Sequence, residues 1–283
     1  MGLILNLVDA FTDRPFTGNP AAVCVLPASV DEIWMQLVAR EMNLSETAFL
    51  HPIPDGWSLR WLTPSVEVKL CGHATLASAF TLWETGRLRS DETARFLTLS
   101  GWLTCRRDGN WIEMDFPAQI TQPCAAPDGL ALALGCEPLG ICRSETEYLV
   151  EIADEKTLRV LKPNFSALAR LPMRGVIVTC RGASSGYDFV SRYFAPAVGV
   201  NEDPVTGSTH CLLGPYWERK LEKSEFTAYQ ASDRGGVIKL RVNGARVLLR
   251  GQAVIMGKLE LLESGLKPYD WSGCAPAPER YSK

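Results

Sequence analysis

Runs of apolar residues alternate with short polar breaks along the first part of the chain, which is the pattern of strands joined by turns. The predicted strands lie near Leu3–Phe11, Ala21–Leu26, Thr47–Pro52 and Leu59–Leu62. A segment over residues 29–42 has the spacing of an amphipathic helix. Ser29 and Glu32 stand at the spacing of a capping box, so this helix is predicted to begin at Ser29.

A second helix is predicted from Gly72, and its first turn is unusual. Apolar residues recur at helical spacing up to Trp83, and Gly86 stands where a helix commonly stops. The start carries Cys71 and His73 in place of a plain Ser or Asp cap. A histidine there faces the positive end of the helix dipole, which disfavours its protonation, and the neighbouring glycine lets a ligand approach the backbone.

The second part of the chain shows a similar order of elements. Residues 117–129 contain three prolines and are predicted to be a linker. Strands are then predicted over residues 174–180 and 187–194, a helix opens at Gly207, and further strands follow between Glu225 and Leu262.

Matching residues indicate an internal repeat. Residues 60–80 and 192–213 each begin with Arg, an aromatic residue, a large apolar residue, a small residue and Pro, and each then enters a helix at a glycine. The two prolines are 132 positions apart and the two glycines 135, so the second copy has three extra residues between them. The spacing of 135 recurs in two more glycine pairs, Gly101 with Gly236 and Gly109 with Gly244.

This repeat predicts an α+β fold of two similar halves with a pseudo-two-fold relation. Each half is expected to be a mostly antiparallel sheet or barrel wrapped around a central helix. The halves are predicted as residues 1–117 and 128–263, with the C-terminal tail 264–283 joined to the first half.

Composition limits the possible classes of function. The 283 residues are 46% hydrophobic and 22% charged, as in a soluble globular protein that buries a core. The formal net charge is −3 and no basic run occurs, which argues against a nucleic-acid partner. The first residues lack the basic start of a signal peptide and no apolar run is long enough to span a bilayer, so we expect a cytoplasmic protein without a membrane partner.

Cofactor signatures are missing from the sequence. The nine cysteines form no CxxC pairs, and we expect them to be reduced thiols. The histidines are His51, His73 and His210, and none has cysteine partners at the spacing of zinc ligands. Phosphate-binding glycine motifs are also absent. We therefore expect neither a zinc site built from these histidines nor nucleotide chemistry.

The two repeated helix starts suggest a site for an anion. If corresponding helix N-termini face each other across a cleft, their unpaired N–H groups can bind a carboxylate and stabilise an enolate-like charge beside it. The loop before the second helix concentrates polar residues, among them Asp203 and Ser208, and Ser208 aligns with His73. The alternative is an ordinary helix start with solvated acids.

Glu46 is the candidate acid/base. It opens a strand among apolar residues, and partial desolvation would raise its pKa into the range useful for proton transfer. The alternative is a solvated glutamate at a strand edge. At the repeat spacing its counterpart falls near Val178, so this carboxylate is expected in the first half alone.

Four ordered segments resemble the signature segments of the PhzF-like (phenazine biosynthesis-like) proteins. They are "DAFTDRPFTGNPAAVCVL", "NLSETAF", "LCGHATLA" and "NEDPVTGSTH". The resemblance covers residues 5–262 and implies the diaminopimelate epimerase-like fold, two similar halves with the active site between them. It also implies an isomerase that moves a proton within a small carboxylic acid without a metal or organic cofactor.

The resemblance carries roles onto matching residues. Glu46 resembles the catalytic acid/base, and His73 and Asp203 resemble its assisting pair. The remaining implied residues bind or border the substrate: Asn19, Ser45, Gly72, Gly207 and Ser208. A small carboxylate is therefore the expected partner, and a homodimer is a further expectation.

Two other functions stay open at this point. The same frame could serve a non-catalytic small-acid-binding or interaction protein. A two-base amino-acid epimerase of this fold would need a cysteine at each helix start; Cys71 fits the first position, but Cys211 lies a turn inside the second helix. We therefore favour Glu46 over a pair of thiols.

Overall fold

The computed structural model describes residues 2–182 and 186–262. Within these residues the strands, in chain order, are β1 (Leu3–Ala10), β2 (Asn19–Val25), β3 (Glu46–Ile53), β4 (Gly56–Leu62), β5 (Glu67–Val68), β6 (Ala94–Thr98), β7 (Gly101–Asp108), β8 (Trp111–Pro117), β9 (Gln122–Pro123), β10 (Gly140–Arg143), β11 (Glu147–Glu151), β12 (Gly175–Arg181), β13 (Phe189–Phe194), β14 (Glu225–Gln230), β15 (Gly236–Asn243), β16 (Arg246–Gly251) and β17 (Ala253–Leu261). The helices are α1 (Glu32–Met42), α2 (Gly72–Glu84), α3 (Leu130–Leu134), α4 (Glu155–Val160), α5 (Phe165–Leu168) and α6 (Gly207–Leu221), with a short 3-10 helix over Pro196–Val198.

The first compact unit contains the described residues up to Ala10, Pro20–Arg107 and residues 253–262. In it β2 runs parallel to β3, β3 antiparallel to β4, β4 parallel to β6, and β6 antiparallel to β7. Helix α2 packs on β1, β3 and β17 and is buried almost all round, as a central helix must be. Helix α1 instead covers the sheet with one apolar face, through Met35, Val38 and Ala39.

The second compact unit contains Phe11–Asn19 and Asp108–Gln252. Here β11 runs parallel to β12, β12 antiparallel to β13, β13 parallel to β14, and β14 antiparallel to β15. This is the pairing order of the first unit. Helix α6 takes the place of α2, packs on β15 and β16, and is likewise mostly buried.

The repeated glycines occupy equivalent places, as predicted. Gly72 and Gly207 are the first residues of α2 and α6. Gly109 and Gly244 lie in the turns that follow β7 and β15, with φ of 58° and 57°, which a glycine adopts without strain. The prediction of an α+β fold with two similar halves is therefore confirmed.

The boundaries of the two compact units differ from those of the predicted halves, 1–117 and 128–263. Strand β17 belongs to the first unit because it pairs along the whole of β1, and β8 belongs to the second because it pairs with β16. The predicted linker contains β9, which pairs with β10 inside the second unit. The predicted role of the tail 264–283 lies outside the described residues.

Two local predictions are wrong. The N-cap of α1 is Asp31, whose carboxylate accepts from the backbone N–H groups of Ile33 and Trp34, so the helix begins later than a Ser29 cap requires. The predicted counterpart of Glu46, Val178, is also wrong. Equivalent positions in the two halves are set by how the strands pair and not by a constant spacing along the sequence. Arg60 pairs with Phe49, whereas its repeat partner Arg192 pairs with Val178.

The register therefore places Gly175 in the position of Glu46. Each of the two residues begins its strand, and each lies beside a parallel neighbour, Ala21 for Glu46 and Glu147 for Gly175. The second half thus has no side chain where the first half has the candidate acid/base.

An ion pair fixes the connection before each central helix. Arg60 binds Glu67 through two hydrogen bonds of 2.7 and 2.6 Å, and Arg192 binds Glu202 through two of 2.7 Å. The partners are 7 positions apart in the first half and 10 in the second. The three extra residues of the second copy lie between them, where the chain forms the short 3-10 helix.

Candidate active site

The start of α2 carries the first group of predicted site residues. His73 is 5% exposed, and its Nε2 lies 3.3 Å from Glu46 Oε2 and 3.3 Å from Ser45 Oγ. At the other ring nitrogen, Cys71 Sγ lies 3.5 Å from Nδ1. The structure therefore brings Ser45, Glu46, Cys71 and His73 together, while a pocket shared with Asp203 stays a prediction.

Local structure explains why Glu46 reaches this position. Helix α1 ends at Asn43, which adopts the left-handed conformation with φ of 50° and turns the chain towards β3. Glu46 is the first residue of β3, at the end of the strand that packs beside α2. Its side chain is 18% exposed, so it is largely desolvated while staying accessible. This is the environment predicted for a general acid/base.

The start of α6 carries the second group. Asn19 Nδ2 donates to Asp203 Oδ1 at 2.9 Å and to the carbonyl of Val205 at 2.8 Å. The hydroxyl of Thr206 donates to Asp203 Oδ2. Asp203 is thus held by an amide and a hydroxyl that come from different parts of the chain.

Gln230 organises the same loop and was not predicted. Its buried side chain accepts from the backbone N–H of Thr206 at 2.9 Å and donates to the carbonyl of Asp203 at 2.8 Å. It is 24 positions from Thr206, and no sequence motif links the two residues. Glu202, by contrast, forms the ion pair with Arg192 and is largely buried, so it is not a solvated acid.

Neither central helix is capped by a side chain. The N-cap residues are Cys71 for α2 and Thr206 for α6, and neither side chain hydrogen-bonds to its own first turn. The first-turn N–H groups at Gly72, Gly207 and Ser208 therefore keep the arrangement that suits an anion. That the two helix starts face one substrate stays a prediction.

The donor atoms of Glu46, Cys71 and His73 lie within 4.8 Å of one another, a separation that a bound metal ion could bridge. Glu46 faces Nε2 of the ring, however, and Cys71 faces Nδ1. An ion bound by imidazole occupies the lone pair of one nitrogen. An ion at this site would therefore take one ring nitrogen and leave the contact at the other nitrogen unused.

Two further titratable groups lie inside α6. Burial lowers the pKa of His210 to about 4, and its Nδ1–H donates to the carbonyl of Thr206 at 2.8 Å. Burial raises the pKa of the Cys211 thiol to about 12. A buried thiol of that kind is a poor proton acceptor, so Cys211 does not supply the second base of a two-thiol epimerase.

Known proteins are similar to this chain over most of its length. A family model described as phenazine biosynthesis-like protein, PhzC/PhzF, matches residues 8–258. An uncharacterized isomerase of Halalkalibacterium halodurans is 58% identical over 259 residues, which cover 91% of this chain and 98% of the relative. Similarity of that extent supports a shared reaction class, and the chain is an enzyme of the isomerase class.

Solved structures agree on the fold. A phenazine biosynthesis protein of the PhzF family from Enterococcus faecalis has a TM-score of 0.89 and 40% identity, covering 93% of this chain and 100% of that one. A probable proline racemase from Agrobacterium radiobacter has a TM-score of 0.63 at 12% identity, covering 95% and 94%, and shares the fold. In the described part of the chain, no helix combines the length and apolar character needed to cross a membrane. The chain belongs to the phenazine biosynthesis-like (PhzC/PhzF) protein family.

Proposed function

We propose that the protein is a cofactor-independent isomerase that moves a proton between carbon positions of a small carboxylic acid. The observation that carries this proposal is the 3.3 Å contact between Glu46 Oε2 and His73 Nε2, made by a partly exposed carboxylate and a buried imidazole at an uncapped helix start. A carboxylate beside an imidazole is a pair of groups that can accept, hold and return a proton.

In the proposed reaction Glu46 takes the proton from carbon and returns it at another position. The negative charge that develops beside the substrate carboxylate is stabilised by backbone N–H groups at Gly72, Gly207 and Ser208. His73 and Asp203 orient the substrate and transfer protons at its polar groups. Ser45 contacts His73 and Asn19 donates to Asp203, so these two residues hold the pair in place.

The two-base epimerase is the weaker proposal. It requires a thiol at each helix start, and the N-cap of α6 is Thr206 where that of α2 is Cys71. Thr206 is moreover engaged with Asp203 and Gln230.

The deciding experiment is a screen of small carboxylic acids for protein-dependent exchange of carbon-bound protons in heavy water, read by proton NMR. The proposal expects exchange with the wild type and none with Glu46→Gln. Binding of an acid by calorimetry without exchange in any member of the panel would favour the non-catalytic acid-binding protein. The cytoplasmic location and the homodimer stay predictions.

A further inference from the structure

Cys71 occupies a capping position without capping. N-cap positions favour Ser, Thr, Asp and Asn, because their side-chain oxygens accept from the N–H groups of the first turn. The side chain of Cys71 makes no such bond, is 6% exposed, and lies against His73 Nδ1 at 3.5 Å. The thiol therefore faces the ring and not the helix that it begins.

The contacts at the other ring nitrogen, Nε2, determine whether Nδ1 carries a proton or a lone pair. Nε2 faces Glu46 Oε2 and Ser45 Oγ, both at 3.3 Å. A neutral imidazole has one N–H and one lone pair. When Glu46 is ionised it can only accept, so the N–H belongs on Nε2 and the lone pair on Nδ1. A buried acceptor without a donor destabilises the folded chain.

We propose that Cys71 is a positioning residue for His73, whose S–H group donates to Nδ1 and so keeps the ring proton on Nε2, towards Glu46. Cys71 touches no substrate in this assignment and acts through the imidazole. The assignment deepens the proposed function, since it rests on Glu46 and His73 being the acid/base pair.

The test is the 15N NMR signal of Nδ1 in the full chain labelled at histidine, recorded at mildly alkaline pH. Three histidines give few signals, and the signals lost in His73→Asn identify those of His73. Cys71→Ala removes the donor, so the Nδ1 signal should move downfield while that of Nε2 stays close to its wild-type position. Cys211→Ala, which removes a buried thiol from α6, is the matched control and should leave both signals in place.

If Cys71→Ala does not fold, Cys71→Ser serves instead. A hydroxyl is a stronger donor than a thiol, so the Nδ1 signal should lie upfield of its wild-type position. An Nδ1 signal that stays in place in Cys71→Ala, or moves downfield in Cys71→Ser, overturns the assignment. The measurement needs no substrate, so a wild type that exchanges no acid would remove the proposed function and leave this result standing.

Discussion

The start of α2 and the start of α6 occupy corresponding places in the two halves but carry different side chains. Where the first has Glu46 and His73, the second has Gly175 and Ser208. The ion pairs that precede the two helices correspond, and so do the glycines that open them. The repeated frame has therefore been kept while the reactive groups have diverged.

In the second half, the space that a side chain at Gly175 would occupy is taken by the ring of Tyr193. A Cβ atom built on Gly175 would lie 2.6 Å from the hydroxyl oxygen of Tyr193 and 2.7 Å from its ring. Tyr193 is 2% exposed and its hydroxyl donates to Glu147 at 3.4 Å. The second half thus has a packed aromatic ring where the first half has the candidate acid/base. Only the first half can supply a carboxylate at this register position.

The largest expected effect comes from removing that carboxylate. Glu46→Gln keeps the size of the side chain but cannot accept a proton from carbon, so exchange should fall by about 100- to 10,000-fold. The rate is measured by loss of the carbon-bound proton signal in heavy water. Glu67→Gln is the matched control, since Glu67 is similarly exposed, 22% against 18%, and serves the ion pair with Arg60. Equal loss of activity in both variants would contradict the role of Glu46.

A second prediction concerns the residues one turn further into each helix. Thr75 donates its hydroxyl to the carbonyl of Cys71 at 2.5 Å, and His210 donates Nδ1–H to the carbonyl of Thr206 at 2.8 Å. Burial lowers the pKa of His210 from its ordinary 6.5 to about 4. The unfolded chain therefore takes up this proton first as the pH falls. Between these two values the free energy of unfolding should decrease by on the order of 3 kcal/mol in total from this group.

Chemical denaturation at a series of pH values measures this contribution. His210→Thr places in α6 the residue type that α2 has at the corresponding position, Thr75. The variant should lose the part of the decrease in the free energy of unfolding between pH 6.5 and 4 that comes from His210, whatever its stability at neutral pH. If the free energy of unfolding varied with pH in the same way in the wild type and in His210→Thr, His210 would have the same pKa in the folded and unfolded chains, and the prediction would be wrong.

A third prediction tests the packing against Gly175. Gly175→Ala places a Cβ atom against the buried ring of Tyr193, so it should destabilise the protein by about 1–3 kcal/mol. The control is Gly140→Ala, also at the start of a strand in this unit, where the nearest atom would lie at an ordinary 3.8 Å. Denaturant midpoints measure both, and similar midpoints would mean that Tyr193 moves aside without loss.

The sequence predicts the frame of the molecule better than its details. The glycine pairs Gly72/Gly207 and Gly109/Gly244 are local signals, because helix starts and tight turns require them wherever the chain is placed. Strand register is different. The connection from β3 to β4 is short, whereas that from β12 to β13 is longer, and this difference displaces the counterpart of Glu46 from Val178 to Gly175.

Long-range partners account for the other differences. The pairing of β17 with β1 joins the two ends of the described chain, and no local pattern reveals it. Gln230 reaches Thr206 from another strand, so only the folded chain shows that it fixes the loop of Asp203. Glu46 and His73, in contrast, are predicted from local patterns at a strand start and a helix start as well as from the family motifs, and the packing of β3 beside α2 brings them into contact.

The smallest expected effect separates the single carboxylate from a pair of thiols. Thr206→Cys gives α6 the N-cap residue of α2, and it weakens the bond donated to Asp203. The loss of about 0.5–1.5 kcal/mol of hydrogen bonding corresponds to roughly a two- to tenfold slower exchange, with Thr81→Cys, buried in α2, as the control for the same chemical change. The double variant Glu46→Gln/Thr206→Cys is decisive, because two thiols at the helix starts would restore exchange if they were the bases. We expect it to be as inactive as Glu46→Gln alone, since the thiol of Cys71 is directed to His73 and the proposed proton acceptor is Glu46.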